Sequence, residues 1–136
     1  MTDLARRRNI ANASSGYDEI RVVLYTLIHD DSKPDEVMQR LRRHAEARDW
    51  VVHEAFVDFA SLESTRTDRK CWPKAERLLK DRAVQGLVAR SEDELAFYRL
   101  GKDRLRNWLL ELPAFAKYVG EGPQRAPADA PSGAAR

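Results

Sequence analysis

Cysteine is nearly missing from this 136-residue chain, with Cys71 standing alone. One thiol excludes an internal disulfide and any metal site built from several cysteines. Cys71 itself reads as a small buried or half-buried residue. Long apolar runs are missing too: no stretch approaches the roughly 18 residues that a membrane-spanning helix needs. The opening "MTDLARRRNIANASSG" has a basic run with no apolar run behind it, so it is not a secretory signal, and the cytoplasm is the expected location. There is no glycine-rich phosphate loop, which argues against a nucleotide held at the sheet rim where such folds carry ligands. A large excess of one charge is also absent. Arg6, Arg7 and Arg8 against Asp3 give residues 1–16 the whole net charge of +2, while residues 17–120 and 121–136 each balance to zero. A neutral centre offers little for phosphate-driven binding of nucleic acid.

What is present suits one soluble domain with a modest core, since 43% of the residues are hydrophobic and 34% charged. Residues 1–18 read as a flexible basic arm and residues 121–136, rich in Pro, Ala and Gly, as a disordered tail. Between them, residues 19–120 alternate in type. "IRVVLYTLI" (20–28) is β-branched and apolar on both faces, as a buried central strand should be. Residues 34–49 follow as a helix, with Pro34 at a tolerant first-turn position and Asp35 and Glu36 at the positive end of the dipole. Val37, Leu41 and Ala45 recur every four residues beside Met38 and form its inward stripe. A second strand (50–58) ends at Asp58. Residues 59–70 read as a loop, 71–83 as a short helix with Pro73 near its start, and 84–90 as a third strand. Residues 91–113 read as helical, with Ser91 and Glu94 as a capping box and Gly101 breaking the region into two pieces. Residues 114–120 read as an edge strand or a helix end. Helices between strands imply right-handed crossovers and a mostly parallel sheet.

Several residues invite a chemical role. His29, Asp30 and Asp31 could ligate a metal, but neighbours on one loop seldom converge on one ion. No metal or cofactor is expected, and Asp31 or Ser32 is expected to cap the following helix. Arg40, Arg42 and Arg43 could grip phosphates, or form a solvated face paired with Glu36, Glu46 and Asp49. Trp72 and Trp108 could stack on bases, but beside leucines on helices they read as core.

Four features carry a family resemblance over roughly residues 21–120. They are the strand "VVLYTLIHDDS" with its tyrosine, the helix and strand "MQRLRRHAEARDWVVHEAFVD", the aspartate, polar loop and Pro-initiated helix of "DFASLESTRTDRKCWPKAERLL", and the strand and charged turn "QGLVARSEDELAFYR". In order and spacing the chain resembles the N-terminal catalytic domain of the resolvase/invertase-type serine recombinases. The resemblance implies a single three-layer α/β domain, with a central, mostly parallel sheet of about four strands flanked by helices. It also implies breakage and rejoining of DNA through a serine that becomes linked to a phosphate.

The residues for that reaction are largely replaced. In the family, Tyr-x-Arg-x-Ser closes the first strand; here Tyr25 matches, Leu27 stands at the arginine place and His29 at the serine place. Trp72 precedes Pro73 where the family has an arginine, though Arg69 would come near if the loop folds back. Glu94 stands at an arginine place after the third strand, and Phe97 at another. Gln39 and Asp58 match supporting positions. Tyr25, His29, Gln39, Asp58 and Arg69 are thus ancestral-site positions without a confident catalytic residue among them. Losing one preorganised donor costs roughly 100- to 1000-fold in rate, and here the nucleophile and about three arginines are replaced together. After residue 120 the family's dimer-forming helix and DNA-reading helix-turn-helix are not expected in this sequence.

The expectation is therefore a domain in DNA recombination or its regulation that has lost strand cleavage. Its candidate partners are DNA through Arg6, Arg7, Arg8, Arg40 and Arg43, a second copy of itself, or an intact recombinase. The alternative is an interaction module with no role on nucleic acid.

Overall fold

A computed structural model describes residues 19–120; the expected basic arm with Arg6, Arg7 and Arg8, and the expected tail, lie outside the described residues. The apolar run at the start becomes strand β1 (Arg21–Ile28), and every residue of it from Val22 to Ile28 is buried. Such burial on both faces requires cover on both faces, and the helices supply it. Helix α1 (Pro34–Glu46) follows, then β2 (Val51–Phe59), a 3₁₀ turn (Arg66–Asp68), α2 (Trp72–Lys80), β3 (Gly86–Ala89), α3 (Glu92–Leu95), α4 (Arg99–Glu111) and β4 (Phe115–Tyr118). The sheet runs β2-β1-β3-β4 and every pairing is parallel. This is the parallel α/β architecture that the alternation of elements predicts, with the four strands that the family resemblance implies, and residues 114–120 hold the edge strand rather than a helix end.

The two faces of β1 divide the core. Val23, Tyr25 and Leu27 point to one side, where Trp72, Ala75 and Leu79 of α2, Leu95 of α3, and Leu105 and Leu109 of α4 cover them. Val22, Leu24 and Ile28 point to the other, against Val37, Leu41 and Ala45 of α1, the stripe read from the four-residue spacing. Trp72 is 1% exposed and meets Tyr25 edge-on at 5.2 Å; Trp108 packs half-buried on the same cluster. β2 is an edge strand with Val51, His53, Glu54, Ala55 and Phe59 exposed. Val22 pairs with Val52 and Val23 with Glu54, so His53 is an extra residue and β2 bulges there. At the opposite end of the sheet order, the Phe115 ring lies over Gly86 where a side chain would stand.

Three local expectations need correction. Helix α1 stops at Glu46 rather than at residue 49: Asp49 takes a left-handed conformation (φ 61°) and the Trp50 amide returns to the Ala45 carbonyl at 3.0 Å, turning the chain into β2. The helical region after β3 breaks at Ala96–Tyr98, not at Gly101, which sits inside α4. The cause lies in the loop before α2. Arg66 Nη1 donates to the Leu95 carbonyl at 2.8 Å and Arg69 Nη1 to the Glu94 carbonyl, and these acceptors are then engaged from outside the helix. The caps also differ. Lys33, not Asp31 or Ser32, occupies the α1 cap and gives no side-chain bond, and neither does Ser91 at α3.

Candidate functional site

The C-terminal rim of the sheet gathers polar groups that the sequence scatters over 70 positions. β1 carries Tyr25, β2 carries Asp58, the loop before α2 carries Arg69, the end of β3 carries Arg90, and α3 carries Glu94. Parallel strands place all these ends on one side, and the loop from 59 to 71 folds back to lay Arg69 against them.

Asp58, 3% exposed, is the first hub. Its Oδ2 accepts from the Tyr25 hydroxyl at 2.8 Å and from the Trp72 amide at 3.0 Å, and its Oδ1 accepts from the Cys71 amide at 2.8 Å. The carboxylate therefore fills the N-terminal end of α2, the place where a helix would otherwise receive an anion. Burial, with the Asp58 carboxylate adding to it against the counter-pull of Arg69, pushes the Tyr25 phenol far above its ordinary range. Tyr25 acts here as a hydrogen-bond donor to Asp58. The Cys71 thiol is likewise raised, first by burial and then by Asp58.

Arg69 is 5% exposed and donates from all three nitrogens. Nε reaches Ser64 Oγ at 3.0 Å, Nη2 the Ser64 carbonyl at 3.0 Å, and Nη1 the Tyr25 hydroxyl at 3.4 Å together with the Glu94 carbonyl. The fold-back anticipated for this loop is present, but the guanidinium is spent on the protein's own oxygens. A recess of about 470 Å³ beside it is lined by Asp58, Asp68, Arg69 and Lys70, so two acids oppose two bases.

Arg90 and Glu94 form the second hub, 3% and 1% exposed. Arg90 Nε donates to Glu94 Oε2 at 2.5 Å, Nη2 to the Leu27 carbonyl at 3.1 Å, and Nη1 to Ser32 Oγ at 2.8 Å. Glu94 Oε1 accepts from the Leu27 amide and the Thr26 hydroxyl, each at 3.2 Å. Burial raises the Glu94 carboxyl above the usual range, while Arg90 and the two donors pull the other way. Asp30 lies 4.0 Å from Arg90 and accepts from the Ser32 amide at 3.0 Å. Burial alone would raise its carboxyl, but the bonds from Ser32 and the charge of Arg90 hold it below the ordinary value.

Of the positions singled out from sequence, Tyr25, Asp58 and Arg69 come together. Leu27 turns its side chain into the core. His29 is half-buried just past β1. Gln39 does not join them: it is exposed on α1, whose core contacts are with the opposite face of the sheet. Arg43 is exposed, and Arg40 Nη2 donates to the Gly120 carbonyl at 2.7 Å. Arg90 escaped the sequence reading. Its signal was there, a basic and an acidic residue four apart around a turn, but Ser91 beside Glu94 imitated a capping box and hid the ion pair. Among the described residues, no group of three His, Cys, Asp or Glu side chains is placed to hold a metal ion, and no helix is long and apolar enough to cross a membrane.

Chemically, the rim has the Asp58 and Glu94 carboxyls, a phenol and two guanidiniums engaged by the protein, with the Ser32 and Ser64 hydroxyls bound to those guanidiniums. Ser32 is bound by Arg90, whose charge Glu94 already balances. The neighbouring Asp30 carboxylate accepts from the Ser32 amide at 3.0 Å and also interacts with the Ser32 side chain.

No protein-family model matches the sequence, and no curated protein matches it. Solved structures do resemble it. The C-terminal catalytic domain of ISC1926 TnpA, an IS607-like serine recombinase, superposes with a TM-score of 0.64 at 22% identity, over 74% of this chain and 71% of that one. The N-terminal catalytic domain of TP901-1 integrase gives 0.62 at 19% identity, over 71% and 75%. The first open reading frame of transposon ISC1904 from Sulfolobus solfataricus gives 0.54 at 18% identity, over 78% and 71%. The fold is that of serine-recombinase catalytic domains.

Proposed function

We propose that this domain serves DNA recombination or its regulation without cutting DNA, acting by association with itself, with an active recombinase, or weakly with DNA. The observation that carries the reading is the state of the two rim guanidiniums. Arg69 and Arg90 are both buried and donate from every nitrogen to acceptors within the protein. Phosphoryl transfer needs fixed cationic donors aimed at the phosphate. Here the acid Glu94, at a place where the resembling family has an arginine, consumes the charge of Arg90. The transposon source of one similar structure agrees with a mobile-element setting.

Pure protein incubated with supercoiled DNA should give neither nicks nor a covalent product. A protein–DNA adduct that survives denaturation overturns the proposal. The balanced charge of residues 17–120, with Arg40 turned to Gly120, favours the second reading, an interaction module with no role on nucleic acid. A mobility-shift titration separates the two: binding that weakens steeply with salt supports a DNA role, and no binding at low salt supports the module.

A further inference from the structure

Helix α4 buries Leu105 and Leu109 and turns a second row of side chains to solvent. Leu100 is 61% exposed and Leu110 is 75% exposed; Asp103 and Asn107 lie between them and are exposed as well. The row is spaced three, four and three residues apart, which is the a-d-a-d spacing of a coiled-coil seam two heptads long. Its two apolar residues stand at the ends and its two polar residues in the middle.

Such a row is complementary to itself when it is reversed. In an antiparallel pair of helices, a positions of one chain face d positions of the other. Leu100 then meets Leu110 of the second copy at both ends, and Asp103 meets Asn107 in both central layers. The asparagine amide is a donor and the aspartate an acceptor, so each central layer closes with a hydrogen bond that also fixes the register. Arg104 and Glu111, both exposed, flank the row on one side and face each other across the pair with opposite charge. On the other side Arg99 faces Arg106, whose charge is balanced within its own chain by Glu92 at 2.6 and 2.8 Å.

We infer that the outward row of α4, Leu100–Asp103–Asn107–Leu110, docks a second copy of this chain as an antiparallel, two-fold helix pair. A two-fold contact needs one surface complementary to itself, and this one has the required order of apolar, acidic, amide and apolar groups. The inference deepens the reading that the domain acts by association, and names the partner. Its test reads mass rather than DNA chemistry, so a failure here leaves the prediction of no cleavage standing, and the reverse.

Sedimentation of the full chain at rising submillimolar concentration is expected to show a dimer, twice 15.6 kDa. Leu110→Glu should abolish it while the melting temperature stays within a degree or so of the parent's, as for an exposed site. Glu111→Arg should weaken the dimer about tenfold or more by setting Arg104 against a like charge. Adding Arg104→Glu should restore it. A monomer at every concentration overturns the inference, as does a dimer indifferent to Leu110→Glu. A large fall in melting temperature for Leu110→Glu in a monomeric chain shows that the chain covers this row itself, and overturns it too. Failure of the charge swap to rescue overturns the antiparallel register.

Discussion

The Tyr25 hydroxyl and the Asp58 carboxylate, 33 residues apart in sequence, are joined by a 2.8 Å hydrogen bond at the buried end of two neighbouring strands. The bond ties β1 to β2, and through the other bonds of Asp58 it ties both to the first turn of α2. Tyr25→Phe removes one partner only, and should cost about 1 kcal/mol in urea unfolding. Asp58→Ala leaves the phenol and two amides without an acceptor and uncaps α2, so it should cost about 3 kcal/mol or more. Equal losses for the two variants would refute this division of roles.

The Arg90–Glu94 pair should show strong non-additivity. Removing either partner leaves a buried charge alone, and Arg90→Met or Glu94→Leu should each cost about 3–5 kcal/mol. The double variant should cost much less than the sum, because no bare charge remains. A double-mutant cycle on chemical unfolding decides the matter, and simple additivity would contradict a coupled pair.

Gly86 has no room for a side chain. A methyl group there would fall on the Phe115 ring, so Gly86→Ala should destabilise by about 1–3 kcal/mol through overpacking. Gly86→Ala with Phe115→Leu should recover part of that loss. A neutral Gly86→Ala would show that the ring can move aside.

His44 sets a pH dependence. Burial first, then the charges of Arg48 and Lys117, lower its pKa below the ordinary 6.5, and its Nε2 is buried without a hydrogen-bond partner among the described residues. The folded chain therefore takes up the His44 proton less readily than the unfolded chain does. Stability from this group is complete above about pH 6.5 and falls as the pH drops toward the lower folded value. Melting temperatures followed downward from neutral pH should decline more steeply for the parent than for His44→Leu. Parallel curves would exclude His44 as the source.

Much of the architecture can be read from local pattern. The unbroken apolar run of β1 requires burial on both faces, and the four-residue recurrence of Val37, Leu41 and Ala45 sets the inner face of α1. Pro34 and Pro73 mark helix starts. What could not be read depends on contacts between distant segments. The break at Ala96 comes from Arg66 and Arg69, about 30 positions upstream, which take carbonyls that helix propensity assigns to the helix itself. The candidate site divides in the same way. Tyr25 and Asp58 stood out because they match positions of the resembling family, and Arg69 because its loop could fold back, whereas Arg90 gained its place through Glu94, Ser32 and Leu27, the last two linked to it by no local pattern. Gln39 shows the converse: its position in the order of the sequence matched, but α1 lies across the sheet from the rim.

An all-parallel sheet also has a consequence for what the domain can carry. β1 begins at one pole, just after Glu19 and Ile20, and β4 runs toward the other, ending beside Gly120. Cargo joined ahead of Glu19 and cargo joined behind Gly120 would thus leave from opposite poles, one strand length apart. Of the two attachment points Gly120 is the one beside the polar rim, its amide donating to the Arg90 carbonyl at 2.8 Å.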